Sequence, residues 1–305
     1  MVRFNEERTP GRMENTRNTL SLVKLRALEA VVRTGSFSAA AKEIGVSQPS
    51  ISNHIQSLES RFKTKLLAKS GYSVSATQTL EDLLPKIRAA LALVDDVEIK
   101  LSDQRELVSG ELRVSYSTYQ LAIPRISAFM SSHPGIAIEA RALATQDILD
   151  LFDKGETDIG FITAREVPAG LEGQLLVTSR IVIAAPPDHP LATRDKVTWN
   201  DVNSLPLLQR EGSSGTRRIF EAAATISGAK PRTVLALGSW GSIATLIRSG
   251  VGVGIAMEAE ITERDGCVPI QIDDPSLVAH HYVVWQKDMA KVAAVEAFRQ
   301  SLVAG

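Results

Sequence analysis

The chain has 305 residues, and its 34 lysines and arginines against 35 aspartates and glutamates give a formal net charge of −1. A hydrophobic fraction of 44% suffices for sizeable cores, and this length is typical of about two domains. The single cysteine, Cys267, excludes an intramolecular disulfide and a metal site built from several cysteines. No apolar run approaches the about 20 residues that span a membrane, and the N-terminus lacks the apolar core of a signal peptide, which predicts a cytoplasmic protein.

The charge is divided unevenly along the chain. Residues 1–20 carry a net charge of +1, residues 21–79 carry +5, and residues 80–305 carry −7. The polar stretch 1–20 is predicted to be a disordered extension. The compact basic segment is a candidate for contact with nucleic-acid phosphates, whereas the acidic remainder need not meet them.

Three short helices are predicted in the basic segment. Residues 21–34 place apolar side chains at helical spacing, and Gly35 follows where a left-handed C-terminal cap is favoured. An alanine-rich second helix ends near Ile44. A glycine turn leads to a third helix, which Ser47 caps and which has Pro49 in its first turn.

The third helix has one apolar and one polar face. Its apolar stripe consists of Ile51, Ile55, Leu58 and Phe62. The other face carries short polar side chains that can reach base edges and phosphates in a major groove. Two helices joined by a glycine turn, the second with a polar face, are typical of a helix-turn-helix, although a generic three-helix unit with a solvated polar face has the same pattern.

Three motifs make the resemblance specific. They are Gly35-Ser-Phe-Ser-Ala-Ala-Ala41, Val46-Ser-Gln-Pro-Ser-Ile-Ser52 and Ile55-Gln-Ser-Leu-Glu59. At these spacings, residues 21–80 resemble the N-terminal domain of LysR-type transcriptional regulators. The resemblance implies a winged helix-turn-helix that binds double-stranded promoter DNA, with residues 47–61 as its recognition helix. The candidate DNA contacts are Ser36, Ser38, Ser47, Gln48, Pro49, Ser50, Ser52, Asn53, His54, Gln56, Lys63 and Lys69.

The wing departs from the usual pattern of that family. Where the family usually has Leu-Phe-x-Arg, this chain has Leu66-Leu-Ala-Lys69, and where it has Leu-Thr-x-x-Gly, this chain has Ala76-Thr-Gln-Thr-Leu80. Lys69 can still meet a phosphate as a point charge, but it lacks the two-pronged hydrogen bonding of arginine.

Residues 80–103 predict a linker helix. Glu98 interrupts its apolar seam, and Pro85 should bend the helix or mark its effective start. The seam at heptad spacing consists of Leu80, Leu84, Ile87, Leu91, Val94 and Leu101. Such a seam fits either dimerisation or packing of the helix on its own domain. The resemblance implies a homodimer, which would read two half-sites about 34–36 Å apart or a multiple of that, and a homotetramer.

After residue 108 the pattern changes to alternating strands and helices, which predicts a mainly parallel α/β sheet. Three segments, 131–135, 151–161 and 247–255, resemble the effector-binding domain of LysR-type regulators, which is itself similar to type 2 periplasmic binding proteins. The predicted parts are a winged helix-turn-helix at 21–79, a linker helix at 80–107 and a two-lobed effector-binding domain at 108–305, with lobe I at 110–184 and 280–305 and lobe II at 185–279.

An effector is expected beyond the carboxyl ends of the strands, near helix N-termini. The loop 210–218 (Arg-Glu-Gly-Ser-Ser-Gly-Thr-Arg-Arg) combines glycines, hydroxyls and arginines, which suit a small anion such as a carboxylate, phosphonate, phosphate or sulfate. A solvated surface loop has the same composition, and either Arg210 or Arg217 can pair with Glu211 or Glu221 instead of a ligand. The candidate effector contacts are Ser117, Thr118, Thr145, Arg210, Ser213, Ser214, Thr216, Arg217, Ser239 and Trp240.

The same loop together with residues 234–239 also resembles regulators of aminophosphonate use, which offers a more specific alternative for the effector. The sequence shows no Cys, His or carboxylate cluster of catalytic or metal-binding spacing, so we expect neither an enzyme nor a cofactor or metal. A solute receptor without a DNA role would leave the basic segment unexplained. The expected mechanism is a population shift in which ligand closes the lobes and changes the spacing of the DNA-binding pairs.

Overall fold

The computed structural model describes residues 20–70, 73–101, 110–290 and 292–302. The predicted extension 1–20, apart from its last residue, lies outside these ranges, as do the centre of the wing and the end of the linker. The chain divides between Ile87 and Arg88 into two compact units. Within the described ranges, no helix is long and apolar enough to cross a membrane.

The first unit is a three-helix bundle followed by a hairpin. Its elements are α1 (Leu22–Thr34), α2 (Phe37–Ile44), α3 (Gln48–Phe62), β1 (Leu67–Ser70), β2 (Ser73–Ala76) and α4 (Gln78–Glu81). Strands β1 and β2 pair antiparallel, with Leu67 opposite Ala76, and form the predicted wing. Helix α1 ends at Gly35, whose φ of 65° is the left-handed cap that the sequence predicts.

The core of this unit is made by one face of each helix. Ile51, Ile55 and Leu58 on α3 are 1–3% exposed and pack with apolar residues of α1 and α2. Phe62, predicted as the fourth member of this stripe, is 52% exposed, because it is the last residue of α3 and extends past the bundle. The polar face of α3, opposite this core, is turned toward solvent.

Helix α5 (Leu84–Leu101) is the observed linker helix, and Pro85 lies in its first turn. Part of the predicted seam is used inside the first unit, since Leu80 and Leu84 are buried in its core and Ile87 packs against it. Leu93 and Val97, on another side of the helix, are 38% and 53% exposed.

The second unit alternates strands and helices as the sequence predicts. Its strands are β3 (Gly110–Tyr116), β4 (Ile136–Ala142), β5 (Ile159–Ala164), β6 (Leu171–Ala185), β7 (Lys196–Val197), β8 (Pro206–Arg210), β9 (Arg232–Leu237), β10 (Val253–Met257), β11 (Val268–Ile272) and β12 (Val278–Gln286). Its helices are α6 (Tyr119–Ser132), α7 (Thr145–Asp153), α8 (Trp199–Asn203), α9 (Gly215–Ile226), α10 (Trp240–Arg248) and α11 (Ala293–Ser301).

These strands form one sheet in the order β4-β3-β5-β12-β6-β10-β8-β9, with β11 beside β6 and β7 beside β11. Strands β4, β3 and β5 are parallel, and so are β10, β8 and β9. The long strand β6 joins the two groups, because its first part pairs with β12 and its last part with β10 and β11. The change of partner falls between Arg180 and Ile181, a few residues before the lobe boundary predicted after residue 184.

Each group of parallel strands has its own hydrophobic core, so the unit has two lobes. The core of the first lobe centres on Phe129, Phe161 and Phe298, whose rings pack edge to face. The core of the second lobe centres on Phe220, with the ring of Trp199 5.4 Å away. The fold class predicted from the sequence is confirmed. Because β3, β4, β8 and β9 all end toward the same cleft, the loops that follow them are brought together.

Candidate functional site

The predicted DNA-contacting residues lie on α3, at the start of α2 and in the wing of the first unit. Ser38, Ser47, Gln48, Pro49, Asn53, Gln56 and Lys63 are exposed, and Ser36, Ser50, Ser52 and His54 are half-buried. Lys69 belongs to β1, and its side chain lies outside what the structure describes. Ser36 and Ser47 also have a local task, because each side chain accepts a hydrogen bond from the first turn of the helix that it caps.

Glu59 fixes the wing to the recognition helix. Its carboxylate, 11% exposed, accepts hydrogen bonds from the backbone N–H groups of Leu66 and Leu67 at 3.0 and 3.3 Å and from Lys65 Nζ at 2.6 Å. Burial raises the pKa of Glu59, but the hydrogen bonds from Lys65 and the two amides outweigh it, and the net pKa is lowered. The carboxylate thus orders the start of β1.

We expect Glu59→Gln to destabilise the first unit by about 1–2 kcal/mol at neutral pH, because charge-assisted hydrogen bonds become neutral ones. A carboxylate whose folded pKa is lowered stabilises the fold above its unfolded pKa and loses that effect as the pH falls through the folded pKa. The difference from wild type should therefore shrink in acid, below about pH 4. Chemical denaturation at several pH values measures it, with Glu81→Gln on α4 as control. A difference that stays constant into acid would contradict this role.

A cavity of about 230 Å³ lies in the cleft between the lobes of the second unit. It is lined from the first lobe by residues that follow β3 and β4, and from the second lobe by residues that follow β8, β9 and β10. The lining residues are Tyr116, Ser117, Thr118, Tyr119, Gln120, Ala142, Leu143, Arg210, Gly238, Ser239, Trp240 and Glu260. Both lobes therefore contribute polar groups to one shared space.

Arg210 is the cation of this cavity. Its side chain is only 10% exposed, and its guanidinium pairs with the Glu211 carboxylate at 3.1 Å. A further N–H donates to the Ser117 carbonyl oxygen of the opposite lobe at 3.4 Å. Since a guanidinium has five N–H donors, these contacts leave donors for a ligand.

Two helices begin at the cavity wall. Thr118 precedes α6 and makes no side-chain cap hydrogen bond, and its hydroxyl donates to Glu260 Oε1 at 2.9 Å. Ser239 precedes α10 and accepts a hydrogen bond from Ser242 N at 3.2 Å. The hydroxyl of Ser117 is buried and has no hydrogen-bond partner in the structure. The wall therefore offers first-turn amides and a free hydroxyl, which are donors suited to an anion.

Glu260 is the buried acid of the cavity. Burial raises its pKa, against the lowering effects of the Thr118 hydroxyl and the nearby Arg210. His281 Nε2 lies 3.5 Å from Glu260 Oε1, and His281 Nδ1 is 2.9 Å from Thr163 Oγ1. Burial lowers the pKa of His281 to about 4, so its ring is neutral at physiological pH.

Five predicted effector residues line the cavity, namely Ser117, Thr118, Arg210, Ser239 and Trp240. The Trp240 indole is 3% exposed and donates to Asp265 Oδ2 at 3.2 Å. The other five, Thr145, Ser213, Ser214, Thr216 and Arg217, lie outside the cavity lining.

These residues lie at or beside the place where α9 of the second lobe meets α7 and β5 of the first. Thr145 Oγ1 accepts a hydrogen bond from Thr163 N at 3.2 Å, and the Ser213 carbonyl accepts one from Gln146 N at 3.1 Å. Ser214 and Thr216 are buried at the start of α9. Arg217 pairs with Glu221 at 2.7 Å and donates to the Arg210 carbonyl at 3.0 Å, so it supports Arg210 from behind.

Sequence reasoning missed Glu260 and Gln120. Gln120 Nε2 donates to the Glu260 carbonyl at 3.1 Å, so the two residues meet across the cleft. The signal for Glu260 was available, because it follows the fully apolar strand β10 at the carboxyl end, where ligand contacts are expected.

A winged helix-turn-helix joined by a helix to a two-lobed domain with a polar cleft defines a DNA-binding regulator that responds to a small molecule. The family model for the helix-turn-helix of bacterial regulatory proteins of the lysR family matches residues 22–79. The family model for the LysR substrate binding domain matches residues 105–305. The chain belongs to the LysR family of transcriptional regulators, as the sequence predicts.

Known relatives extend over nearly the whole chain. The chain is 25% identical over 287 residues to the RuBisCO operon transcriptional regulator of Allochromatium vinosum. The aligned region covers 92% of this chain and 95% of that protein. A full-length OxyR variant from Pseudomonas aeruginosa has the same fold, with a TM-score of 0.75 and 18% identity. The match covers 93% of this chain and 94% of the OxyR chain. Full-length CbnR, solved in complex with its target DNA, matches with a TM-score of 0.56, 19% identity and coverage of 93% and 99%.

These relatives are transcriptional regulators and not enzymes, which confirms the prediction that this chain has no catalytic role. In the described parts of the chain, no group of three or more His, Cys, Asp or Glu side chains is placed to hold a metal ion.

Proposed function

We propose that the effector of this LysR-type regulator is a small molecule with an anionic group, and that the cleft cavity binds it. The observation that carries the proposal is the position of Arg210, whose largely buried guanidinium lines a cavity shared by both lobes. A desolvated guanidinium binds a carboxylate, phosphonate, phosphate or sulfate more strongly than an exposed one, because water screens the charge less.

The groups around Arg210 support the same conclusion. The N-termini of α6 and α10 open onto the cavity, and each brings first-turn amides without a partner inside its own helix and the positive end of a helix dipole. The buried Ser117 hydroxyl can donate one further hydrogen bond. Ser117 and Thr118 from one lobe, and Arg210 and Ser239 from the other, are thus the proposed contacts of the anionic group.

Such a ligand would stabilise the closed arrangement of the lobes, since its contacts come from both sides. The proposed switch is a population shift toward that arrangement, which changes how the DNA-binding pairs of an oligomer are spaced. A ligand without preference for the closed arrangement would have no effect on the DNA-binding state.

A thermal-shift panel of small carboxylates, phosphonates, phosphates and sulfonates tests the anion proposal with the full chain. We expect at least one class to raise the unfolding temperature at millimolar concentration, and binding at 100 times Kd stabilises by about 2.7 kcal/mol. If no member of any class has an effect, the anion proposal is wrong.

We also propose that the polar face of α3 reads operator DNA. The support is its exposed polar surface on a basic unit, together with the wing held by Glu59. The structural relative CbnR, whose solved complex contains its target DNA, shares this fold. Gln48, Ser52 and His54 are candidate base contacts in the first half of α3, and recognition helices use their N-terminal residues most.

Gln48→Ala and His54→Ala are each expected to lower operator affinity by about 5- to 150-fold, the range for loss of one specific base contact. Fluorescence anisotropy with operator and scrambled DNA at two salt concentrations measures the effect. Affinity for scrambled DNA should change little, since phosphate contacts carry non-specific binding. Gln78→Ala, on α4, is the matched control. Equal losses on both DNAs would contradict base reading by these side chains.

The exposed stripe of the linker helix is the proposed homodimer contact. Leu93 and Val97, with Ala90 one heptad before Val97, lie on one side of α5 and are exposed in the described chain. This replaces the N-terminal part of the predicted seam, which is buried in the first unit. A homotetramer is proposed as the higher assembly, in line with the expected change of spacing between DNA-binding pairs.

A further inference from the structure

We propose that the effector carries a positively charged amine beside its anionic group, and that Glu260 is the residue that recognises the amine. The inference rests on the proposed function, because it assigns the second charged group of a ligand bound in the same cavity.

The cavity is lined by an acid, Glu260, and a base, Arg210, that do not form an ion pair with each other. Glu260 lines it and is 4% exposed, while Arg210 is paired with Glu211. Both residues are described by the structure, and no ion pair of 4.0 Å or less joins Glu260 to Arg210. The acid and the base are therefore each able to face a different end of one ligand.

Glu260 has no ion-pair partner of permanent charge within 4.0 Å, and Arg210 acts on it only from further away. The Thr118 hydroxyl donates to Oε1, which is a neutral hydrogen bond. His281 Nε2 lies 3.5 Å from Oε1, and the lowered pKa of His281 leaves its ring uncharged at neutral pH. A buried carboxylate without a cationic partner is costly, and the raised pKa of Glu260 expresses that cost. A ligand ammonium would supply the missing charge.

Aromatic rings provide a second, independent observation. Tyr116, Tyr119 and Trp240 are three of the twelve residues that line the cavity, although aromatic residues make up only 5% of the chain. Aromatic faces attract ammonium groups, and the attraction is larger when the cation is desolvated. Rings and a carboxyl around one space are the chemistry that recognises an amine.

The size of the cavity limits the ligand. Its 230 Å³ is below the about 300–1,000 Å³ of pockets for drug-sized ligands. The class that fits is a small zwitterion of amino-acid size, with a carboxylate, phosphonate or sulfonate at one end and an ammonium at the other.

Matched pairs of ligands test the inference with the full chain. The probes are 2-aminoethylphosphonate against ethylphosphonate, β-alanine against propionate, and taurine against ethanesulfonate, titrated by calorimetry. In the pair whose anionic group is accepted, we expect the amine to bind at least 10-fold more tightly. Glu260→Gln keeps the size and hydrogen bonding of the side chain but removes its charge, so it should weaken the amine at least 10-fold and change its amine-free partner by less than 3-fold.

Glu211→Gln is the matched control, because it removes the acid beside Arg210 and should alter both members of a pair alike. Equal binding of both members to the wild type would overturn the inference while leaving the anion proposal intact. A wild-type preference that Glu260→Gln leaves unchanged would also overturn it. If no member of any pair binds, the inference is wrong. If another anion of the thermal-shift panel binds in that case, the proposed function is still supported. The wild-type comparison does not depend on whether a variant folds.

Discussion

Arg210→Gln is expected to weaken binding of an anionic effector by about 100-fold. Truncating one partner of a buried, hydrogen-bonded charge pair costs about 2–5 kcal/mol, and each 1.4 kcal/mol is a factor of ten in affinity. The guanidinium is the cation that lines the cavity, and its position is held by Glu211 and by the carbonyl of Ser117. Arg210→Lys should recover only part of the loss, because an ammonium lacks the planar pair of donors.

Arg217→Gln is the matched control for Arg210→Gln. Both arginines belong to the same loop, but Arg217 is held by Glu221 and lies outside the cavity lining. Its loss should change effector affinity by only a few-fold, through the weakened support of the Arg210 backbone. Calorimetry with the best ligand of the anion panel measures both variants, and the unfolding temperature without ligand shows whether each remains folded. A larger loss of affinity for Arg217→Gln than for Arg210→Gln would exclude Arg210 as the anion contact.

The fold of the first unit was predictable because its signals are local. The apolar stripe on α3, the serine caps and Gly35 are each set by residues within a turn or two of one another. Glu59 illustrates the limit, because its role depends on amides seven and eight residues further along, and its place in the sequence motif does not reveal that contact.

The second unit was predictable where strand and helix alternate, and less so where pairing is remote. Strands β6 and β12 lie about a hundred residues apart in the chain and are antiparallel partners, as Tyr282 opposite Leu175 shows. Neither strand is predicted from the sequence, because the first ten residues of β6 show no regular apolar and polar alternation, in keeping with their irregular exposure. The alternation typical of a half-buried strand is lost where a strand passes from one lobe to the other.

For the effector site, the rule that ligands lie beyond the ends of parallel strands was only partly selective. It led to all ten candidates, of which Ser117, Thr118, Arg210, Ser239 and Trp240 line the cavity, whereas Thr145 and the other candidates of the loop 210–218 do not. The composition of that loop favoured its hydroxyls as a set. Which of its hydroxyls meet a ligand and which meet the other lobe depends on long-range packing, and a glycine and serine pattern is the same in both cases.

Gly215→Ala is expected to destabilise the second unit by about 3 kcal/mol, the upper end for overpacking of a core. A Cβ atom at Gly215 would lie 1.9 Å from the carbonyl oxygen of Thr163 and 3.0 Å from Thr145 Oγ1. Thr163 is on the buried strand β5 of the first lobe, and Gly215 begins α9 of the second, so neither backbone has room to withdraw. At about 2–4 °C per kcal/mol, the unfolding temperature should fall by about 6–12 °C in calorimetry.

Gly212→Ala, three residues earlier in the same loop, is the matched control. It shows whether the loss of stability at Gly215 comes from the steric clash or from replacing a glycine in this loop. A Cβ at Gly212 meets nothing within 4 Å, and its φ is not in the left-handed region, so the unfolding temperature should change by less than about 2 °C. Equal behaviour of the two variants would show that the lobes do not touch at Gly215. A larger fall in unfolding temperature for Gly215→Ala than for Gly212→Ala would mean that the loop has two roles. Gly215 allows the lobes to approach each other, and Arg210 is the proposed contact of the ligand. The absence of a side chain at Gly215 lets the two lobes meet at this point, and their contact leaves polar groups of both lobes around one cavity.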